Sequence, residues 1–375
     1  MPPTSHAKLV GLLRQDLRIR ESRAECLAAA VLCAIESKSV LLADMVAHLP
    51  GEAKPECKFR RFQNFFGKFN PGYADIARFA LGILRSVIGE KPLVLALDRT
   101  NWEARENDVN LLVLSVCLGD AGQPLLWTDF RHPGNSDTAK RIRMMRRLLH
   151  VIDVDRIQCL LGDREFVGED WFTWLLEQKV PFAMRLRENM KTTPEGGQLR
   201  DAAEHFAMLR PGEWLDLGVC RVCGVTMGVC GVRLHDGELL ILGYSRVSGA
   251  EAKDFFMQRW NIETGFQKLK SHGFNLESSR LCGGGKFERL MAVLSIAFAW
   301  CYAMGIWSVE AGRPIRVIQR LMRRAESVFR RGRETLAGVF RKNICHIRPT
   351  SRKAFALLRS ACREPTGCLT SNWAA

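Results

Sequence analysis

The chain has 375 residues, enough for two or three domains with a sizeable core, and its 47% hydrophobic content is usual for a soluble globular protein. Lysine and arginine number 55 against 40 acidic residues, so the chain carries a net charge of +15 and is strongly basic. Residues 313–353 alone hold thirteen basic and two acidic residues. Such a field attracts polyanions, usually nucleic acid, with an anionic membrane surface as the alternative.

The thirteen cysteines predict reduced thiols rather than disulfides. The first twenty residues have no apolar core before their charges, which argues against a secretory leader and for a cytoplasmic protein. Cys220 and Cys223 form a C-x-x-C pair near Cys230, but the surrounding sequence alternates like a strand. A zinc site needs four ligands, so these residues are interpreted as packing residues.

Residues 1–88 have the pattern of a helical region. Helices are expected over 22–37 and over 40–48, the second capped by Ser39. A third stretch, CKFRRFQNFFGKF, spaces phenylalanines for one buried helical face and places Arg60 and Arg61 beside it. A basic third helix is compatible with a DNA-reading module, although plain helical bundles share the pattern.

From residue 91 the pattern changes to alternating strands and helices. Three adjacent strands predict an antiparallel meander, and a helix, a strand, a helix and a strand follow. The predicted ranges, in chain order, are 92–98, 110–118, 123–130, a helix capped by Ser136-Asp137, 157–163, a helix over 169–178, and 180–187. This order predicts an α/β sheet of mixed direction. Residues 188–250 are predicted to be a β-rich insertion, and helix resumes near Gly249 and continues past Lys270.

Residues 290–309 carry no charge for twenty residues, which is long enough to span a bilayer. The run stands alone between basic segments. We therefore expect a helix buried in the protein core.

The stretch QRWNIETGFQKLK raises the question of a catalytic acid. On a helix at about 100° per residue, Phe256, Arg259, Glu263 and Lys270 fall on one narrow face, beside the apolar stripe. A solvated face would place its charges opposite that stripe. The geometry therefore favours a site at Glu263 between two cations.

Two further carboxylates are expected at strand ends, Asp98 after LVLAL and Asp163 after CLLG. Acids at the carboxyl edge of an α/β sheet lie where ligands bind. Three carboxylates without thiol or imidazole partners suit a hard cation such as Mg²⁺. Glu165, two residues after Asp163, is expected to pair with Arg164 or a nearby base. Taken singly, Asp98 or Asp163 could equally cap a turn.

The phrase F-x2-R-x3-E-x6-K closely resembles the Y-x2-R-x3-E-x6-K signature of insertion-sequence DDE transposases (the IS-four-type family). LALDRTNW and LLGDREF resemble the strands that carry that family's two aspartates. The three motifs stand in the family's order, with a β insertion before the glutamate helix. The resemblance covers about residues 90–310.

The resemblance implies a ribonuclease-H-like fold with Asp98, Asp163 and Glu263 as the catalytic triad holding two Mg²⁺ ions, or Mn²⁺ in their place. It implies that Arg259 and Lys270 contact DNA near the cleaved phosphate. Phe256 is grouped with these DNA-contacting residues; it stands where the family has tyrosine, so its ring can pack but no hydroxyl reaches a phosphate. Trp214, in the insertion, is the candidate for stabilising a flipped base.

Together these observations predict a three-part protein. A DNA-recognition region spans 1–88, a catalytic core 89–310 and a basic helical region 311–375. The resemblance implies cleavage of transposon ends and their joining to target DNA by a homodimer bound to terminal inverted repeats, in the bacterial cytoplasm at the nucleoid, with no membrane partner. Two alternatives stay open: a nuclease with the same triad that cannot join strands, and a non-catalytic DNA-binding protein derived from a transposase.

Overall fold

The structure is a computed structural model that describes residues 5–49, 51–104, 107–119, 121–130, 137–259, 273–279, 281, 285–318, 323–324, 326–341 and 349–361. The α-helices are α1 (Ser5–Leu17), α2 (Glu21–Ser37), α3 (Leu42–Ala47), α4 (Pro55–Lys68), α5 (Tyr73–Ile88), α6 (Thr138–Leu149), α7 (Glu169–Glu177), α8 (Gly249–Met257), α9 (Lys286–Glu310), α10 (Val328–Arg341) and α11 (Pro349–Ala361). The main strands are β1 (Leu93–Ala104), β2 (Asn107–Leu118), β3 (Ala121–Asp129), β4 (Ile157–Gly162), β5 (Phe182–Arg185), β6 (Lys191–Pro194), β7 (Arg200–Asp201), β8 (Trp214–Val222), β9 (Val225–Arg233) and β10 (Leu239–Ser245).

Within the described residues these ten strands form one sheet in the order β3-β2-β1-β4-β5-β10-β9-β8-β6-β7. β2 runs antiparallel to β1 and β3, whereas β1, β4 and β5 are mutually parallel. The meander and the following mixed sheet match the pattern expected from sequence. The predicted α/β, ribonuclease-H-like fold class is confirmed, with flanking helices and a β-rich insertion.

The β-rich insertion extends the central sheet rather than forming a separate one. β10 pairs antiparallel with β5, and β9 and β8 continue outward from it. β8 and β9 are joined by a two-residue turn at Cys223 and Gly224, both of which have positive φ. Such a turn matches the twist of a hairpin. The strands of the insertion thus lie in the same sheet as β4, on the far side of β5 from it.

The apolar helix α9 is the centre of the helical layer. It packs against β3 and against helices from both ends of the chain: α2, α5, α10 and α11. By length and composition α9 could span a membrane, yet 89% of its most apolar window is buried inside the protein. The predicted buried core helix is confirmed. The helices of residues 1–88 and those after 326 therefore share one packing centre.

Two elements differ from the sequence prediction where the candidate site lies. β1 continues past Asp98 to Ala104, because its second half pairs with β2 after the pairing with β4 has ended. α8 ends at Met257, where the N–H groups of Gln258 and Arg259 bond to carbonyls three residues back. This tightened last turn means that Arg259 follows the helix instead of lying within it. Residues 260–272 are outside the described part of the chain.

Helices α9 and α10 cross in backbone contact at two glycines. A Cβ added to Gly332 would overlap the carbonyl oxygen of Cys301, and one added to Gly305 would overlap the carbonyl oxygen of Val328. Neither obstacle is a movable side chain. Glycine is required here so that the two helices can approach.

We expect Gly332→Ala to lower the free energy of unfolding by about 3 kcal/mol, because the methyl group forces the helices apart. The matched control is Gly338→Ala on the same helix, where an added Cβ meets nothing within 4 Å. That change should stabilise by up to about 1 kcal/mol. Urea denaturation measures both. Equal effects of the two substitutions would contradict the close crossing.

Candidate active site

Asp98 and Asp163 lie side by side at the carboxyl end of two parallel strands. Leu97 is in register with Gly162, so the two aspartates are the next residues on β1 and beyond β4. Side chains at matching positions of neighbouring strands point to the same face. The two carboxylates, which sequence placed at separate strand ends, therefore share one face of the sheet.

Each carboxylate is fixed by the backbone that follows it. The N–H of Arg99 donates to Oδ1 of Asp98 (2.8 Å), and the N–H of Arg164 donates to Oδ1 of Asp163 (2.8 Å). The Oδ2 atoms both face the Arg259 guanidinium, at 3.9 Å from Asp98 and 3.8 Å from Asp163. One oxygen of each aspartate thus points towards a common centre.

Arg259 supplies the positive charge between these acids. Its side chain is 12% exposed, against 17% for Asp98 and 32% for Asp163. Its guanidinium lies 5.5 Å from the ring centroid of Phe256, a cation–π distance. Phe256 was expected to contact DNA, but it is 7% exposed and its ring packs against the Arg259 guanidinium. The ring that replaces the family's tyrosine packs here without needing a hydroxyl.

A second ion pair ties the two aspartate-bearing strands together. Arg99, next to Asp98, donates from Nε to Oε2 of Glu165 at 3.1 Å, and both side chains are less than a quarter exposed. Glu165 was expected to pair with Arg164 or a nearby base; its partner is the nearby base Arg99, and Arg164 lies near Glu238. The sequence held the signal, because Arg99 and Glu165 follow the two aspartates by one and two residues.

A third arginine, Arg141, holds the segment after Asp163. It donates from Nη2 to the carbonyl oxygen of Glu165 (2.9 Å) and lies over the ring of Phe166. Burial lowers the pKa of Arg141 below its ordinary value. Arg141 is itself buried, and these contacts give it a structural role. Arg143, Arg146 and Arg147 on the same helix are exposed.

The remaining predicted site residues lie elsewhere. Trp214 is 42% exposed on β8, four strands from β4, or about 19 Å, and Lys253 of α8 lies over its ring at 4.8 Å. Arg60 is exposed on α4, while Arg61 pairs with Glu25 at 2.8 Å. Glu263 and Lys270 are outside the described residues.

The donor set fits a hard divalent cation in part. Two carboxylates on one face, with no imidazole or thiol between them, are the chemistry that Mg²⁺ prefers. Among the described residues no cluster of three or more His, Cys, Asp or Glu side chains forms. Asp98 and Asp163 would supply two oxygen ligands to such an ion, and no third acidic, histidine or cysteine side chain joins them within the part of the chain that the structure describes.

A family model described as "Transposase DDE domain" matches residues 89–300, more than half of the chain. This range includes Asp98, Asp163, Arg259 and the predicted Glu263. No curated protein matches the chain. A solved structure that matches is the "Cryo-EM structure of piggyBac transposase synaptic complex with hairpin DNA", with 9% identity over 95% of this chain and 82% of that chain and a TM-score of 0.41.

We expect Arg259→Met to cost about 2 kcal/mol of stability without divalent cations, because two carboxylates then face each other without their shared counter-charge. Adding Mg²⁺ should raise the thermal midpoint of this variant more than that of the wild type. The control is Arg164→Met, which removes a cation about half exposed and paired with Glu238. An equal Mg²⁺ shift in all three proteins would show that Arg259 does not bridge the acids.

Glu165→Gln keeps the side-chain shape but removes the charge that Arg99 contacts. We expect a loss of about 2 kcal/mol in urea denaturation and weaker Mg²⁺ binding by calorimetry, because the two strands lose a shared tie. Glu238→Gln is the control, since this acid pairs with Arg164 and Arg185 on the exposed side. If Glu165→Gln leaves the Mg²⁺ affinity unchanged, the ion pair between Arg99 and Glu165 does not fix the distance between the two aspartates.

Proposed function

The chain belongs to the DDE transposase domain family, and from that premise we propose that it cuts the ends of a transposable element and joins them to target DNA. The observation that carries the proposal is the pair of in-register carboxylates, Asp98 and Asp163, facing Arg259. Within the family we assign it to the insertion-sequence subgroup, on the phrase that runs from Phe256 to Lys270.

The third carboxylate of the proposed site is Glu263. It follows Arg259 by four residues, which span at most about 14 Å of extended chain. The far end of the same segment is fixed by Arg333 of α10, which donates from Nη1 to the carbonyl oxygen of Gly273 (2.8 Å). The described residues that flank this segment, Arg259 and Gly273, are thus both held by contacts with the core.

Asp98, Asp163 and Glu263 would hold two Mg²⁺ ions, with Mn²⁺ as a substitute. Bound divalent ions at such a site activate the attacking oxygen and stabilise the leaving oxygen in phosphoryl transfer. The chain's own residues position the reaction. Phe256 and the two aspartates orient the Arg259 guanidinium, which would bind a phosphate oxygen of the cleaved strand.

The proposed chemistry has two steps at one site. Water attacks the phosphorus at the element's end, and the bond to the 3′-oxygen breaks to leave a 3′-hydroxyl. That hydroxyl then attacks a phosphodiester of the target DNA, the bond from this phosphorus to the target's own 3′-oxygen breaks, and a 3′-hydroxyl is left on the target strand. The exposed Arg143, Arg146 and Arg147 of α6, with the exposed Arg313 and Arg316, would contact the DNA backbone. We propose that a homodimer pairs two ends of the element.

The test uses duplexes carrying the inverted repeats that flank the coding region, incubated with Mg²⁺. The wild type should nick the ends and produce joined strands. Asp163→Ala should lower cleavage at least about 10³-fold while binding stays within about twofold, because one metal-holding carboxylate is lost. The control is Asp155→Ala, an exposed acid before β4 and at the opposite end of that strand.

The outcomes separate the alternatives. Hydrolysis without joined product identifies a nuclease with the same acids. Specific binding of the ends by the wild type with no cleavage identifies a non-catalytic DNA-binding protein. Cleavage that survives Asp163→Ala contradicts the site itself.

A further inference from the structure

Helix α4 presents two different faces. Its inner face is aromatic: Phe62, Phe65 and Phe66 are fully buried, and Phe65 stacks on Phe69 at 4.5 Å between ring centroids. The opposite face is exposed and polar, and we call it the α4 outer face; it consists of Arg60, Gln63, Asn64, Gly67 and Lys68. The inner face packs the helix against the protein, so the outer face is available to a partner.

The outer face carries the side chains that read nucleic-acid bases. Arginine matches the acceptor pair of guanine, and asparagine and glutamine match the donor–acceptor pair of adenine. Among the described residues, the side chains of Arg60, Gln63, Asn64 and Lys68 make no hydrogen bond or ion pair. The helix holds a single acid, Glu56, in its first turn. The face is therefore basic and rich in uncommitted donors.

Gly67 lies between Asn64 and Lys68 on this outer face. A Cβ added there meets nothing within 4 Å, so internal packing does not require glycine. Glycine in an exposed helix costs stability relative to alanine. A partner that approaches the helix backbone closely gives this position a reason, since even a methyl group would obstruct it.

The helix is held rigidly for such a role. Arg289 of α9 donates from Nη1 to the carbonyl oxygen of Phe66 (2.9 Å), and Lys58 donates from Nζ to the carbonyl oxygen of Leu49 (2.7 Å). Arg61 is turned to Glu25 of α2. These contacts place Lys58 and Arg61 in structural roles and fix the direction in which the outer face points.

We propose that the α4 outer face enters the major groove of DNA and determines which sequence the protein binds. A helix about 10–12 Å across fits a groove about 12 Å wide. Gln63 and Asn64 read base edges, Arg60 reads a guanine or an adjacent phosphate, and Lys68 contacts phosphate. The idea deepens the proposed function, because it names the surface that would distinguish the element's ends from other DNA.

The first test selects duplexes from a randomised pool with the full-length chain and with Asn64→Ala. The wild type should enrich one motif. Asn64→Ala should enrich the same motif with preference lost at one position, by roughly tenfold, and with an unchanged dependence of affinity on salt. Lys68→Ala should keep the motif and lower the salt slope by about one. Asn189→Ala, an exposed asparagine after β5, is the control and should change neither.

The second test separates DNA binding from folding, because one substitution should change affinity and thermal stability in opposite directions. Gly67→Ala should leave the thermal midpoint unchanged or higher, because alanine favours the helix, yet weaken binding to the enriched duplex about tenfold or more. A purely structural glycine would lose stability and affinity together.

Three results would overturn the proposal: no enriched motif with the wild type, an identical motif with Asn64→Ala, or outer-face variants that change only the protein's own association in ultracentrifugation. A motif that shifts as expected in a protein that never cleaves DNA would support the recognition surface and contradict the proposed function. Cleavage of DNA by a protein that enriches no motif would support the proposed function and contradict the recognition surface.

Discussion

The mutual repulsion of two carboxylates on neighbouring parallel strands is the constraint on which the site depends. Two unit charges about 5 Å apart, at an effective dielectric constant of about 20, repel by roughly 3 kcal/mol. The fold accepts this cost at Asp98 and Asp163 and offsets it with Arg259, whose guanidinium faces both. Two carboxylates held together in this way favour the binding of further positive charge. A divalent cation supplies such charge.

The helical layer connects that site to both ends of the chain. α9 is packed against helices that precede the sheet and helices that follow it, so neither end forms an independent body around its own core. Two contacts in this layer are directional: Arg289 of α9 donates to the last turn of α4, and Arg333 of α10 donates to the backbone at Gly273. The basic residues of this layer thus divide into ones that hold backbone carbonyls, such as Arg289 and Arg333, and exposed ones that remain for a partner.

Local patterns predicted most of the fold. Strand alternation located the meander and β4, Asp137 caps α6 as expected, and the uncharged run forms the buried helix α9. Register was beyond sequence, because only long-range pairing decides that Leu97 faces Gly162 and that the two aspartates are neighbours. Arg99 and Glu165 follow the two aspartates in sequence, but only this register brings their side chains within hydrogen-bond distance. The end of α8 at Met257 was missed because helical periodicity continues through Arg259 while the hydrogen bonding tightens.

The central proposal is that three acids distant in sequence, Asp98, Asp163 and Glu263, would hold the same metal ions. Iron-directed cleavage measures this most directly: Fe²⁺ replaces Mg²⁺ in the protein, and ascorbate with peroxide generates radicals that cut the backbone beside the ion. The account predicts Mg²⁺-competed cuts near residues 98, 163 and 263 together. Cuts near 98 and 163 without one near 263, or cuts that excess Mg²⁺ does not suppress, would contradict it.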